Sequence, residues 1–195
     1  GPNGLIAIGR HQAVVQIGSP AIFDPNTPAV TAGGDRFGRV LRVRDDGRIK
    51  RVIADTTAFE AAVDADGEGY DSNPVDVAAG RRSGYVVADA GANAVHVIDR
   101  NGALIRTILI PQDPCPGGPG NCFGDANLDS VPTGIAKGRG DIYYVSTLSG
   151  VVADFSVTPP DVNFWPGNGK VFAVNAATGA VEELATGLTT VIDVA

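Results

Sequence analysis

The chain contains no methionine, and only two histidines, two cysteines and one tryptophan among its 195 residues. Cys115 and Cys122 do not form a CxxC pair, and two cysteines alone cannot complete a tetrahedral zinc site. His11 sits in a turn and His96 alternates with Val95 and Val97. Neither is near a serine or cysteine motif, so a nucleophile–histidine–acid triad has no support. Lysine is scarce too: Lys50, Lys137 and Lys170 stand among 15 basic residues, against 22 acidic ones and a net charge of −7. With that balance and no basic stripe, nucleic acid is not an expected partner. No apolar run approaches the roughly 20 residues that a membrane-crossing helix needs. Helical periodicity is nearly absent. Only TAFEAAVDADG at 57–67 suggests one short helical turn, with Phe59, Ala62 and Val63 on a shared face.

Glycine is abundant at 26 residues, alongside 13 prolines, as expected when many short strands need many turns. Hydrophobic residues make up 44% and charged residues 19%, which suits a globular chain. The strongest signal is a repeat. DSNPVDVA at 71–78 returns 58 residues on as DSVPTGIA at 129–136, and a further 59 on, more weakly, as LTTVIDVA at 188–195. GYVVADAGANAVHVIDRNGALIRTI at 84–108 corresponds to DIYYVSTLSG at 141–150 and then, across an insertion, to GKVFAVNAATGAVEEL at 169–184. Self-similarity at a fixed period means an array of like modules. Each module holds four short strands, the content of a β-propeller blade.

The expected fold is therefore all-β: about three four-stranded antiparallel blades plus the first strand of a fourth, in one partial domain over 1–195. Blade one covers 1–70, blade two 71–128, blade three 129–187 and the next blade starts at 188–195. Asp45-Asp46-Gly47, Asn101-Gly102 and Ala176-Ala177-Thr178-Gly179 read as the last hairpin turn of each blade. Three blades and a strand cannot close a ring, and open sheets expose pairing edges, so we expect a fragment of a larger propeller. In a blade, the loop between second and third strands emerges on the same face as the link to the next blade. Here those loops are the long ones: 19–37, 89–94 and 149–170, with links at 55–74 and 111–132. Function concentrates on loops held by a rigid scaffold, so this face is the expected site.

FGRVLRVRDDGRI, then IADTTAFEAAVDADGEGYDSNPVDVAAG, YVVADAGANAVHVIDRNG, VPTGIA and TGLTTVIDVA together resemble the ScyD/ScyE family of propeller proteins. The distinctive stretch is Ala54-Asp55, Ala58 to Glu60, Asp64, Asp66-Gly67 and Asp71 to Pro74. VADAGANAV is similar to the wider NHL-repeat and regucalcin/gluconolactonase-like propellers. The resemblance implies a six-bladed propeller, secreted or periplasmic, with a signal peptide upstream of Gly1. It carries no catalytic residues. The segment VVADFSVTPPDVNFWPGNGK at 151–170 departs from the family pattern.

Several groups of residues could carry chemistry. Asp64-x-Asp66-x-Glu68-Gly69 and Asp125-x-Asn127-x-Asp129 set oxygen ligands at every second residue, as calcium loops do. The glutamate of a full calcium loop is missing from both, and solvated turns would use the same residues. Aligning the blades puts Gly4, Asp76, Gly134 and Asp193 at one position of the channel-lining strand. A carboxylate pair there would hold an ion or serve as acid and base, or would simply bind loop backbone and channel water. Cys115 and Cys122 read as a loop disulfide in an exported protein or as free thiols in a cytosolic one. Phe155, Phe164 and Trp165 form either an aromatic wall for a planar or sugar-like ligand or a packed loop.

The leading expectation is a non-catalytic module binding a small molecule or partner protein on the long-loop face. Its residues would be Asp71, Asn73, Asp76, Asp89, Asn93, Asp129, Asp193 and Trp165, with calcium the one candidate cofactor. A metal-assisted lactonase or hydrolase using channel carboxylates is the rival. A purely structural role comes third.

Overall fold

A computed structural model describes residues 2–9, 12–17, 36–69, 71–122, 125–154, 156–158, 161–189 and 191–195. His11, Phe155 and most of the 19–37 loop, which figured in the sequence reading, lie outside the described residues. Three four-stranded antiparallel sheets follow one another along the chain. The first pairs β1 (Pro2–Gly9), β2 (Gln12–Ile17), β3 (Arg39–Arg44) and β4 (Ile49–Asp55) in sequence order. A helix, α1 (Thr56–Val63), leads to the second sheet of β5 (Pro74–Ala79), β6 (Tyr85–Asp89), β7 (Ala94–Ile98) and β8 (Leu104–Leu109). A small excursion pairs β9 (Asp113–Pro114) with β10 (Asn127–Leu128). The third sheet begins with β11 (Pro132–Lys137) and β12 (Ile142–Thr147). The chain then leaves it for a hairpin of β13 (Val151–Asp154) and β14 (Asp161–Phe164), and returns as β15 (Gly169–Asn175) and β16 (Val181–Leu188).

The sheets stack as blades. Strands β1, β5 and β11, the first of each sheet, are successive neighbours, as channel-lining strands must be. Asp76 on β5 reaches across to β11, its Oδ2 accepting from Ile135 N–H at 2.9 Å. Residues 191–195 lie along β11 where the repeat places the next inner strand, with Thr133 Oγ1 donating to the Val191 carbonyl at 2.8 Å. They form no ladder of their own.

Side-chain alternation explains the continuous apolar run of β6. Tyr85 and Val87 point into one core with Val14, Val40, Ile53, Val77 and Ile98. Val86 and Ala88 point the other way, into a core with Ile108, Ile135, Tyr143, Val145 and Phe172. A strand buried on both faces reads as unbroken hydrophobic sequence. Each fully buried side chain of this kind stabilises the fold by about 1.5–3 kcal/mol. The middle sheet is thus the filling of a sandwich, and its loops are held from both sides.

Candidate functional site

The site begins where β4 turns into α1. Asp55 caps the helix, its Oδ1 accepting from Ala58 N–H at 3.0 Å, and also pairs with Arg39. Alanine-rich sequence carries the helix two turns, to a left-handed Asp64 at φ 41°. The buried face is not the one expected from periodicity: Ala62 and Val63 are exposed, while Thr56 and Glu60 are buried. Phe59, half-buried, meets the His96 ring edge-on at 5.8 Å. The helix turns polar groups inward because polar groups wait beneath it.

Those groups centre on Asp89, which is wholly buried at the end of β6. Ser72 Oγ lies 2.6 Å from Asp89 Oδ2 and 2.8 Å from Thr56 Oγ1. Asn73 and Ala92 donate their backbone N–H groups to Asp89 Oδ1. His96 Nε2 stands 3.5 Å from Asp89 Oδ2, and its Nδ1 is 3.1 Å from Thr107 Oγ1. His96 occupies the β7 position that in the third sheet is Phe172, a core residue, so it is a packed strand histidine. Burial raises the Asp89 pKa, but hydrogen bonding and charge from His96, then Ser72 and Asn73, outweigh it and hold the carboxyl below its ordinary value. This is not a triad. The acid stands between hydroxyl and imidazole, so no base reaches the serine, and all three are shut from solvent. Gly91 is required here: a Cβ would stand 1.7 Å from the Asp71 carbonyl oxygen.

Above this network lies a loop of carboxylates. Oxygens of Glu60, Asp64 and Asp66 all fall within 4.8 Å of one another. Asn93 Nδ2 donates to Asp66 Oδ2 at 2.9 Å and to Asp129 Oδ1 at 3.3 Å. Gln112 donates to Asp129 Oδ1 at 3.1 Å and to Glu68 Oε1 at 3.4 Å. Burial, then neighbouring carboxylates led by Asp66, push Asp71 up to about 7. Burial, then the charge and hydrogen bond of Asp129, push Glu68 up to about 7 as well. Glu60 is raised by burial first and Asp66 second.

The structure thus sets Asp64 and Asp66 against Glu60, which was not among the candidate ligands, links Asp66 to Asp129 through Asn93, and brings Asp71 under the charge of Asp66 and Glu60. No pattern in the neighbouring sequence marks Glu60 as buried. Asp89 sits beneath them, holding Asn73 through its backbone. Asp125 and Asn127 are exposed, and Asp125 joins no cluster of histidine, cysteine or carboxylate ligands among the described residues. Asp76 and Asp193 line a separate channel cavity of about 540 Å³. There Asp76 spends both oxygens on the backbone N–H groups of Val77 and Ile135, and Asp193 accepts from Val194 in the same way. Phe164 and Trp165 stay half-exposed on the β13–β14 hairpin. Cys115 and Cys122 form a disulfide with Cα atoms 6.0 Å apart, packed with Leu128 and Val152. Lys170, largely buried, ties this excursion to the third sheet through Asp113 at 2.8 Å and Glu183 at 3.0 Å. No helix among the described residues is long and apolar enough to cross a membrane.

No protein-family model matches the chain, and no curated protein is matched by it. Among solved structures it is similar to a streptogramin B lyase, at 13% identity and a TM-score of 0.45, over 94% of this chain and 54% of that one. A second is a catalytically inactive virginiamycin B lyase from Staphylococcus aureus with quinupristin, at 13% identity and a TM-score of 0.37, over 94% of this chain and 69% of that one. The chain spans about half the length of the first. At these values neither assigns a role to any residue here, and the blade architecture rests on the strand pairing itself. The chain is a segment of a β-propeller.

Proposed function

We propose that the chain belongs to an exported ScyD/ScyE-like propeller that acts as a non-catalytic module, binding a small molecule or partner protein on its long-loop face. The observation that carries this reading is the meeting of 55–69, 89–94, 111–132 and the β13–β14 hairpin on one side of the blades. Asn93–Asp66, Asn93–Asp129 and Gln112–Glu68 contacts knit the first three together, and Val152 packs the hairpin against Leu128. Exposed Phe164 and Trp165 give the hairpin apolar surface, the kind of anchor that ligand faces use together with polar groups. The disulfide supports export, since such bonds persist in oxidising compartments. The lactonase alternative is less favoured because the Asp76 oxygens are already engaged by backbone, leaving little to activate water.

Trp165 is the sole tryptophan, so its emission reports on this face. Titrating aromatic heterocycles and oligosaccharides should find compounds that shift its fluorescence and raise the melting temperature. Trp165→Ala should weaken such binding without unfolding the protein. Hydrolysis of gluconolactone with added divalent metal, lost in Asp76→Asn, would favour the enzyme instead.

A further inference from the structure

Glu60 presents a problem that the protein alone does not solve. It is 0% exposed, yet neither carboxylate oxygen has a hydrogen-bond partner. Asn93, 1% exposed, has its amide on Asp66 and leaves Oδ1 unpartnered, and the buried Oδ1 of Asp71 is unpartnered too. The charges bearing most on Glu60 and Asp71 are other carboxylates, with His96 the one opposing group. Among the described residues no lysine or arginine forms an ion pair with Glu60, Asp64, Asp66 or Asp71. Buried charge without a partner is strongly unfavourable, so an arrangement that collects several such groups calls for a cation.

We propose that Glu60, Asp64 and Asp66 ligate a calcium ion, with the Asp71 carboxylate and the Asn93 carbonyl oxygen as the next protein ligands. The donors are all oxygen, which suits a hard cation and not zinc. They come from a helix, a turn and two loops, an irregular set that calcium accepts with about 6–8 ligands while magnesium demands a near-ideal octahedron. The ion would pin the link between the first two blades to the 89–94 loop. This assignment stands whether or not the face binds a further ligand.

The test is calorimetric titration and thermal melting of the 195-residue chain, stripped with EGTA and then given calcium chloride or magnesium chloride. Calcium should release binding heat and raise the melting temperature, with magnesium clearly weaker. Asp64→Asn alters an exposed side chain, so it should fold normally and lose at least tenfold in calcium affinity. Glu60→Gln should melt higher than the unaltered protein in EGTA, because a buried charge is gone, and gain little from calcium. Asp125→Asn should keep the full response. Absence of any calcium response, a response kept in both Asp64→Asn and Glu60→Gln, or one lost in Asp125→Asn would overturn the site. An equal magnesium response would overturn the choice of ion.

Discussion

Asp89 shows how one buried carboxylate organises a face. Its two oxygens take the Ser72 hydroxyl and the Asn73 and Ala92 amides, with His96 at 3.5 Å, fixing the 71–73 and 89–93 loops to the end of one strand. Asp89→Asn keeps the size but removes the charge, leaving His96 and the donors mismatched. We expect a loss of about 3 kcal/mol in urea unfolding at pH 7, the lower end for breaking a buried pair. Because the native carboxyl is held below its unfolded value, native Asp89 stays ionised where the unfolded residue, at about 3.9, takes up a proton. Its stability is therefore fully present above that value and is lost as pH falls through the lowered native one. The gap between unaltered and Asp89→Asn protein should close on acidification below about pH 4. A gap that widened instead would mean that Asp89 is not the ionised centre.

The excursions behave as separate elements. The cluster of Cys115, Cys122, Leu128 and Val152 is distinct from both blade cores, and Lys170 is its main polar tie to the third sheet. The Cys115–Cys122 loop is short, so chain-entropy arithmetic puts the crosslink at about 2.5 kcal/mol. Its loss should be felt locally. Under reduction, amide exchange should speed up over 113–128 while β5 to β8 keep their protection, as expected of distinct cooperative units. Equal loss of protection in the blades would show that the excursion is part of their core. The β13–β14 hairpin follows the same logic. It interrupts the third sheet between β12 and β15, yet those strands pair in unbroken register from Ile142–Asn175 to Thr147–Lys170.

Blade packing depends on a few bonds between sheets. Asp76 accepts from Ile135 on the next inner strand, the Tyr143 hydroxyl donates to the Ala79 carbonyl at 2.9 Å, and Arg81 meets Asp141 at 3.1 Å. Between the first two sheets, Gly102 at φ 96° comes so close to the Ile53 carbonyl that a Cβ would stand 1.7 Å from it. Asp76→Ala strands a backbone N–H at the channel wall. We expect it to lower stability by about 2 kcal/mol, the range for a hydrogen bond to a charged acceptor. Thermal or urea unfolding measures this directly. An unchanged stability would return Asp76 to consideration as a free channel carboxylate.

Much of the architecture was legible because its causes are local. Asp99 accepts from the Asn101 and Ala103 amides, and Asn175 from Ala177 and Thr178, so the two hairpin turns announce themselves within a few residues. Apolar alternation and the 58-residue repeat then set the order of the blade strands, since pleat and turn chemistry act over short stretches, but not the β9–β10 and β13–β14 pairs inside the long loops. The site was legible only in part. Asp64 and Asp66 stood out by spacing, but nothing near Glu60 in the chain marks it as buried. Helical periodicity favoured Phe59, Ala62 and Val63, and the inward face was chosen instead by Ser72, Asp89 and His96 waiting below. Burial and charge partnership belong to neighbours that the fold supplies from Asp55 to Asp129. Local pattern therefore settled the blades, and packing of distant loops settled which carboxylates meet.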